Sequence, residues 1–323
     1  MEKRRVLIIT NEEDPHVDKL IPIIESRGGR CIRFNTENFP TGIDSSIKLN
    51  EALHCYLKID GEIIDLRTIG AVWYRRSVDA KPDSRITEEH ARNLVIRESR
   101  EYIENLWFQI NTLWVNHPYA LRKASRKVEQ LRVAKEIRWS IPPTLITNDE
   151  AEVKLFIKEH GEVIVKSLQA QFVETPESFI SLFAHRLSEI DYNRIRDVKL
   201  GPCIFQKAIP KFKELRVTVI GDKVFSAELE TQLLDQARDD WRRGEIQEIP
   251  CREIELHPIV KQKSLQIVER FGLRFATMDI IITPSGEHVF LDLNPNGQWL
   301  WVEVLTGIPM ANAMADLLVN GVR

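Results

Sequence analysis

The sequence predicts a mixed α/β (α+β) protein. A parallel α/β unit comes first, then a small central unit, then a unit built on an antiparallel sheet. Three observations predict this order. Near the N-terminus an apolar run, a helical stretch and a second apolar run follow one another as β-α-β. The middle of the chain alternates short strands with helical stretches. Beyond residue 206 the pattern turns strand-rich, with hairpin signals at Gly221-Asp222 and at Pro284–Glu287.

The elements follow in chain order. "RVLIIT" (5–10) is a buried strand, the next helical stretch stops at Gly28-Gly29, and "CIRF" is the second strand. "LHCYLKIDGEIIDL" turns at Asp60-Gly61 as a hairpin. "IGAVWYRR" (69–76) is a further strand, and in open α/β sheets such strand ends face the ligand crevice. Arg75 and Arg76 at that end read equally as crevice residues or as solvated charge. A helix is expected from Thr87, as N-cap, to Gln109, and the first domain boundary near His117-Pro118. A basic helix over 119–138 carries Lys127 among six other cations, most of which read as solvated charge. "IPPTLIT" is extended by its prolines. "NDEAEVKLFIKEHG" is a helix capped by Asn148 or Asp149 and ended by Gly161. "EVIVKSL" and "CIFQKAI" are strands, with a helix over "PESFISLFAHRL" between them. Further helices are expected at 258–271 and 309–320. The resulting units are 1–117, 118–205 and 206–323.

At 323 residues, 43 % hydrophobic and 29 % charged, the chain is long enough for about two substantial cores. A net charge of −3 argues against a general nucleic-acid or membrane-surface binder, and no apolar run approaches the ~20 residues that span a bilayer. The apolar start is too short for a signal-peptide core. The four cysteines form no CxxC pair and the eight histidines no HxH or HExxH pair. Free thiols and a cytoplasmic location are expected.

The most informative stretch is 290–301, "FLDLNPNGQWLW". With Pro284–Glu287 as the turn, Thr283 faces His288, and counting outward sets Asp279 opposite Asp292. Strand alternation puts Asn294 on the same face and sends Leu291 and Leu293 into the core. Facing like charges destabilise a sheet unless a cation lies between them. Two carboxylates and an amide oxygen suit a hard divalent ion such as Mg²⁺ shared with phosphates. Acids on an outer face, each paired with an arginine, fit the residues equally well. Residues 292–303 also match the EF-hand calcium pattern letter for letter, but a strand enters this loop where an EF-hand needs a helix, so calcium is set aside.

Lys166 ends an apolar strand, where an ammonium needs an anion, either a phosphate or a carboxylate on a neighbouring strand. Arg216 in "ELRVTV" and Arg242 in "DDWRRG" suit phosphate or carboxylate recognition. Arg216 reads equally as a cross-strand partner of an acid such as Glu228. The segment 186–203 is densely charged with both signs, which fits a solvated helix and turn as well as a peptide contact.

Together, "NHP", "VIVKSL", "FQKAI", "ELRVTV", "MDIIIT" and "FLDLNPNGQW" resemble the ATP-grasp superfamily over essentially the whole chain. "AVWYRR", "DWRR" and "LNPNGQWLWVE" look most like its graspetide ligases, the microviridin-type peptide macrocyclases. The resemblance implies an ATP-grasp fold, ATP and Mg²⁺ as cofactors, and a ribosomal precursor peptide, leader plus acidic core, as partner. A homodimer stays open. Lys127 and Lys166 would contact the nucleotide, with Gln206, Lys207 and Ile209 in the adenine-binding hinge and Glu214 on the ribose. Asp279, Asp292 and Asn294 would hold Mg²⁺, and Arg216 and Arg242 would serve the γ-phosphate or the acceptor carboxylate. Asp191, Asn193, Arg194 and Arg75 would meet the peptide. The implied activity joins Asp or Glu carboxylates to Ser/Thr hydroxyls or Lys amines. A RimK-like ligase adding amino acids and an inactive ATP-binding regulator are the alternatives. Two departures stand out: there is no glycine between Gly161 and Gly201 to cover the phosphates, and Lys207 replaces an acidic hinge residue.

Overall fold

The computed structural model describes residues 4–169, 172–174 and 179–321. The expected β-α-β opens the chain: strands Arg5–Thr10 and Arg30–Asn35 pair in parallel around helix Pro15–Ser26. Asp14 caps that helix by accepting the His16 N–H at 3.1 Å. Strands Ile69–Tyr74 and Leu113–Val115 extend the parallel sheet on its other side. Beside it lies a three-stranded meander, Asp44–Leu49, Leu53–Ile59 and Glu62–Asp65. Its first strand was not expected from the sequence. Its second turn is the expected one, with Asp60 and Gly61 at φ 50° and 80°. The long helix runs Glu89–Trp107, and Glu88 rather than Thr87 occupies its N-cap.

In the middle, an antiparallel sheet orders His185–Arg186, Val163–Lys166, Cys203–Lys207 and Thr144–Thr147. Helix Glu150–His160 packs beneath it, capped by Asp149, with Gly161 at φ 75° ending it. The helix expected over "PESFISLFAHRL" does not form: Phe179–Ser181 and His185–Arg186 are strands, and 175–178 lie outside the described residues. Strand Val163–Lys166 explains this locally. It needs a partner on its open edge, and His185 and Arg186 pair there with Val165 and Ile164. The basic helix is two helices, Pro118–Ala124 and Lys127–Glu136. Gln130 secures the break by donating to the Ala124 carbonyl at 2.6 Å.

The last sheet is antiparallel and five-stranded, in the order Cys251–Glu253, Lys223–Leu229, Lys213–Ile220, Phe275–Ile282, His288–Asn294. Apolar packing crosses both expected unit boundaries. Ala124, Val133, Ala134 and Trp139 join the core under this sheet, although they fall in the expected central unit. Helix Met310–Asn320 packs against the N-terminal sheet, with Met310, Met314 and Leu318 among Val6, Ile8 and Trp73. The C-terminal sheet and the loop after it are therefore gripped from both sides.

A candidate nucleotide and metal site between two sheets

The hairpin closes one residue earlier than the sequence suggests. Thr283 N–H donates to Glu287 at 2.9 Å across a three-residue loop with Gly286 at φ 85°, so Ile282, not Thr283, faces His288. Uncorrected, that register would set Asp279 opposite Leu291. A β-bulge between Asp279 and Ile280 restores the alignment, and Asp279 pairs with Asp292 as expected. The bulge also explains a correction. Leu293 is buried in the core at 1 % exposure, whereas Leu291 turns onto the cleft side beside Lys166.

Cations already neutralise the facing carboxylates. Arg216 stands in register with Asp279 on the neighbouring strand and donates to it at 2.7 Å. It does not pair with Glu228, which takes Lys213 and Arg252, each at 2.9 Å. The Arg216 guanidinium lies 5.5 Å from the Trp241 ring centroid and donates to the Gln298 carbonyl at 3.2 Å. Lys127, in the first turn of its helix, bonds directly to Asp292. Burial alone would raise the Asp292 pKa, but the charges of Lys127 and Lys166 outweigh it and leave the carboxyl below its ordinary range. Lys166 is pushed down by burial, against the pull of Asp292. Arg242 is fastened to Asp240 at 2.8 and 2.5 Å, in a short turn that Asp240 itself caps. Among the described residues no group of three or more His, Cys, Asp or Glu side chains is placed to hold a metal ion by itself. Two facing carboxylates with one amide oxygen nevertheless suit Mg²⁺, which takes its remaining ligands from phosphate and water. Arg216 and Lys127 mark where positive charge is wanted.

The turn after Asp292 is held by residues whose importance the sequence did not show. Asn294 Oδ1 accepts the Asn296 N–H at 3.0 Å, which orients the amide oxygen. A side chain at Gly297 would place Cβ 1.8 Å from Thr277 Oγ1, so the turn passes too close to the sheet for anything larger than glycine. Gln130, 1 % exposed, donates to the Leu293 carbonyl at 2.7 Å and accepts its N–H at 3.1 Å. Asn116, the asparagine of "NHP", donates to the carbonyls of Phe275 and Pro295 at 2.7 and 2.8 Å and accepts from Arg274 and Phe275. Arg75 belongs to this set rather than to any surface. It is 1 % exposed and donates to the Asn296 carbonyl at 2.8 Å, so its expected peptide contact is replaced by a structural one.

A slot with an apolar floor and charged walls, among them Arg186, Lys211, Arg238 and Asp239, lies between the two sheets. Ile164 and Ile209 line it from the central sheet, Ile281 and Leu291 from the C-terminal sheet, with Lys166 and Gln206 between. The strand end forming its rim is pinned: Lys207 N–H donates to Pro143 at 3.0 Å and Ala208 N–H to Glu162 at 2.8 Å. Lys207 thus has its carbonyl, not its amide, left for a ligand. Gln206 turns inward to Thr144 at 2.9 Å. Glu214 is buried behind Lys211, which donates to it at 2.7 Å, and desolvation raises its pKa despite that cation. Just past the slot-lining Arg186, Asp191 closes a capping box with Ser188 and lies 3.7 Å from His185, Arg194 bridges Asp197 at 2.9 Å, and Asn193 is exposed.

Comparisons with known proteins agree with this fold. Residues 5–122 match the family model described as the MvdD pre-ATP grasp domain. The RiPP-associated ATP-grasp ligase of Chryseobacterium gregarium, solved with ADP and a leader and core peptide, superposes with a TM-score of 0.93 at 27 % identity, covering 99 % of this chain and 98 % of that one. The macrocyclase MdnC of Microcystis aeruginosa, solved with its precursor peptide MdnA, gives 0.87 at 25 % identity over 98 % and 99 %. Over almost the whole chain these likenesses support a graspetide-type ATP-grasp maturase. In this chain Lys127 and Lys166 both bear on Asp292, and Ile164 and Lys166 of the central sheet meet Ile281 and Leu291 of the C-terminal sheet across the slot. A glutathione synthetase of Rhodopseudomonas palustris is 26 % identical over 179 residues, and the match spans about half of each chain, 53 %. Among the described residues no helix is long and apolar enough to cross a membrane.

Proposed function

We propose that this graspetide-type protein is an ADP-forming ligase. It activates Asp or Glu side-chain carboxylates of a ribosomal precursor peptide and joins them to Ser/Thr hydroxyls or Lys amines of the same peptide. One observation carries the reading: Lys166, in the lining of a slot between two sheets, lies within electrostatic reach of Asp292, which faces Asp279 with Asn294 on the same strand. The relatives solved with ADP and with precursor peptides support it.

Adenine fits between Ile164, Ile209, Ile281 and Leu291 and meets the Lys207 carbonyl at the rim. Lys166 and Lys127 then face the phosphates. Asp279, Asp292 and Asn294 would hold Mg²⁺, which would supply charge neutralisation between the nucleotide and the incoming carboxylate. A peptide carboxylate oxygen attacks the γ-phosphorus, the bond to the β-phosphate oxygen breaks, and ADP leaves. A hydroxyl or amine then attacks the acyl carbon, loses its proton, and inorganic phosphate departs. The chain supplies no nucleophile. Arg216 and Arg242, both held by carboxylates, offer guanidinium groups to the two anions being brought together, so catalysis is positioning plus charge. The peptide's leader would dock on 186–203, where Ile190 and Tyr192, 73 % and 40 % exposed, stand beside Asn193 and Arg194 and present apolar and charged groups together.

Incubating the protein with ATP, Mg²⁺ and an acidic precursor-like peptide should release ADP and yield a peptide lighter by one water per bond formed. Turnover with free amino acids and none with the peptide would favour the RimK-like alternative and refute this reading.

A further inference from the structure

The N-terminal unit contributes nothing to the proposed chemistry, yet three of its buried polar residues close on the turn after Asn294. His16 is 4 % exposed, and its Nε2 accepts the backbone N–H groups of both Trp299 and Leu300 at 3.2 Å. An imidazole nitrogen that accepts carries no proton, so the ring proton sits on Nδ1, where Asp14 Oδ1 lies 3.3 Å away as its acceptor and Arg75 Nη2 stands at the same distance beside it. Asp14 is fully buried and also accepts from Thr10 at 2.9 Å. Arg75 Nε is 3.6 Å from Asp14, and its guanidinium reaches Asn296 on the other flank of the turn. The Asn296 side chain answers by bonding to the Arg75 carbonyl. Asn296 in turn orients Asn294 Oδ1 through its own N–H.

We infer that Asp14, His16 and Arg75 are positioning residues through which the N-terminal unit sets the metal-binding turn 294–300 in its working geometry. The inference rests on the proposed nucleotide reading and names a part of that site outside the two units that hold the nucleotide. Groups behind a metal ligand that fix its orientation matter to affinity almost as much as the ligand itself. Here both flanks of the turn hang on one buried cluster. Losing the imidazole acceptor leaves two N–H groups unpaired and frees one flank, while the slot walls, built on other elements, stay in place.

The test compares the full-length wild type with His16→Leu and His16→Gln by calorimetry, using the non-hydrolysable ATP analogue AMPPNP with Mg²⁺ and then with EDTA. His16→Leu should weaken the Mg²⁺-dependent affinity about tenfold and leave the metal-free affinity unchanged. His16→Gln, whose amide oxygen can accept from both N–H groups, should recover most of that loss. Equal affinities in all three proteins would overturn the inference, as would a parallel loss with and without metal, which marks a general effect on the fold. If His16→Leu does not fold, Asp14→Asn carries the same expectation by weakening the hold on the Nδ1 proton, and unchanged metal-dependent binding there would refute it. A wild type that binds no analogue at all would instead sink the nucleotide reading, and this inference with it.

Discussion

Two regions of this protein are proposed to recognise ligands, and they are built in opposite ways. The turn 292–300 is held by side chains from distant parts of the chain: Gln130, Asn116, Arg75 and His16 reach it across sequence separations of 163 to 284 residues. The polar contacts within 188–197 are short-range, the Ser188–Asp191 capping box and the Arg194–Asp197 pair three residues apart, while Ile195 and Val198 seat the segment on the central core. Metal chemistry needs ligand atoms fixed to fractions of an ångström, which only a densely cross-linked turn supplies. A peptide can adapt to its surface, so local hydrogen bonds suffice.

The strongest way to break this contrast is to remove a ligand from the rigid turn. Asp292→Ala or Asn294→Ala should lower ATP-dependent turnover by about a thousandfold, with the thermal melt preserved. Near-normal ADP release from either variant would mean the turn is rigid for some other reason. Next in size is the cost of cutting a cross-link. Asn116→Ala strands backbone groups of Phe275 and Pro295 away from water and should cost about 3 kcal/mol in urea unfolding. A cost within about 0.5 kcal/mol would show that the cross-link is ornamental.

Acid should loosen the rigid region before the segment 186–203. Burial pushes the Asp14 carboxyl up, but hydrogen bonding from His16 and the charge of Arg75 win, and its pKa falls from 3.8 to about 2. Because the folded value lies below the unfolded one, the stabilisation is complete above about pH 4 and is lost as pH falls through 2. It amounts to roughly 2 kcal/mol. His16, whose pKa burial also lowers, adds to the same trend from a higher pH, since the unfolded chain takes up its proton first. Denaturation midpoints measured between pH 7 and 2 should fall accordingly, and Asp14→Asn should flatten the lower part of that curve. The smallest effect belongs to the adaptable surface. Asn193→Ala with Arg194→Ala should weaken precursor-peptide binding by about 1 kcal/mol and leave AMPPNP affinity unchanged. Equal peptide binding would move the leader elsewhere.

The same contrast explains what the sequence disclosed. The place of Asn294 on the Asp292 face was legible because strand alternation is a local rule, whereas the pairing of Asp279 with Asp292 was reached through a turn counted one residue off, an error the bulge offsets. The bulge was not legible: nothing in "VFLDLN" announces the extra residue that turns Leu291 into the slot while keeping Asp292 opposite Asp279. "SLFAHRL" misled because its apolar spacing suits a helix, whereas the open edge of Val163–Lys166 decides its strand pairing. Arg75 looked like a crevice cation because a strand end is where such residues sit. Only the fold shows it buried against Asn296. Asn116, Gln130 and His16 carried no local signal, since their partners lie far along the chain.

The central claim is that Asp279, Asp292 and Asn294 bind the metal that carries the nucleotide. Electron paramagnetic resonance of Mn²⁺ bound with AMPPNP tests it most directly. The wild type should show protein-bound Mn²⁺ coupled to phosphorus, and that signal should vanish in Asp292→Ala and Asn294→Ala. A signal unchanged in both variants would contradict the account.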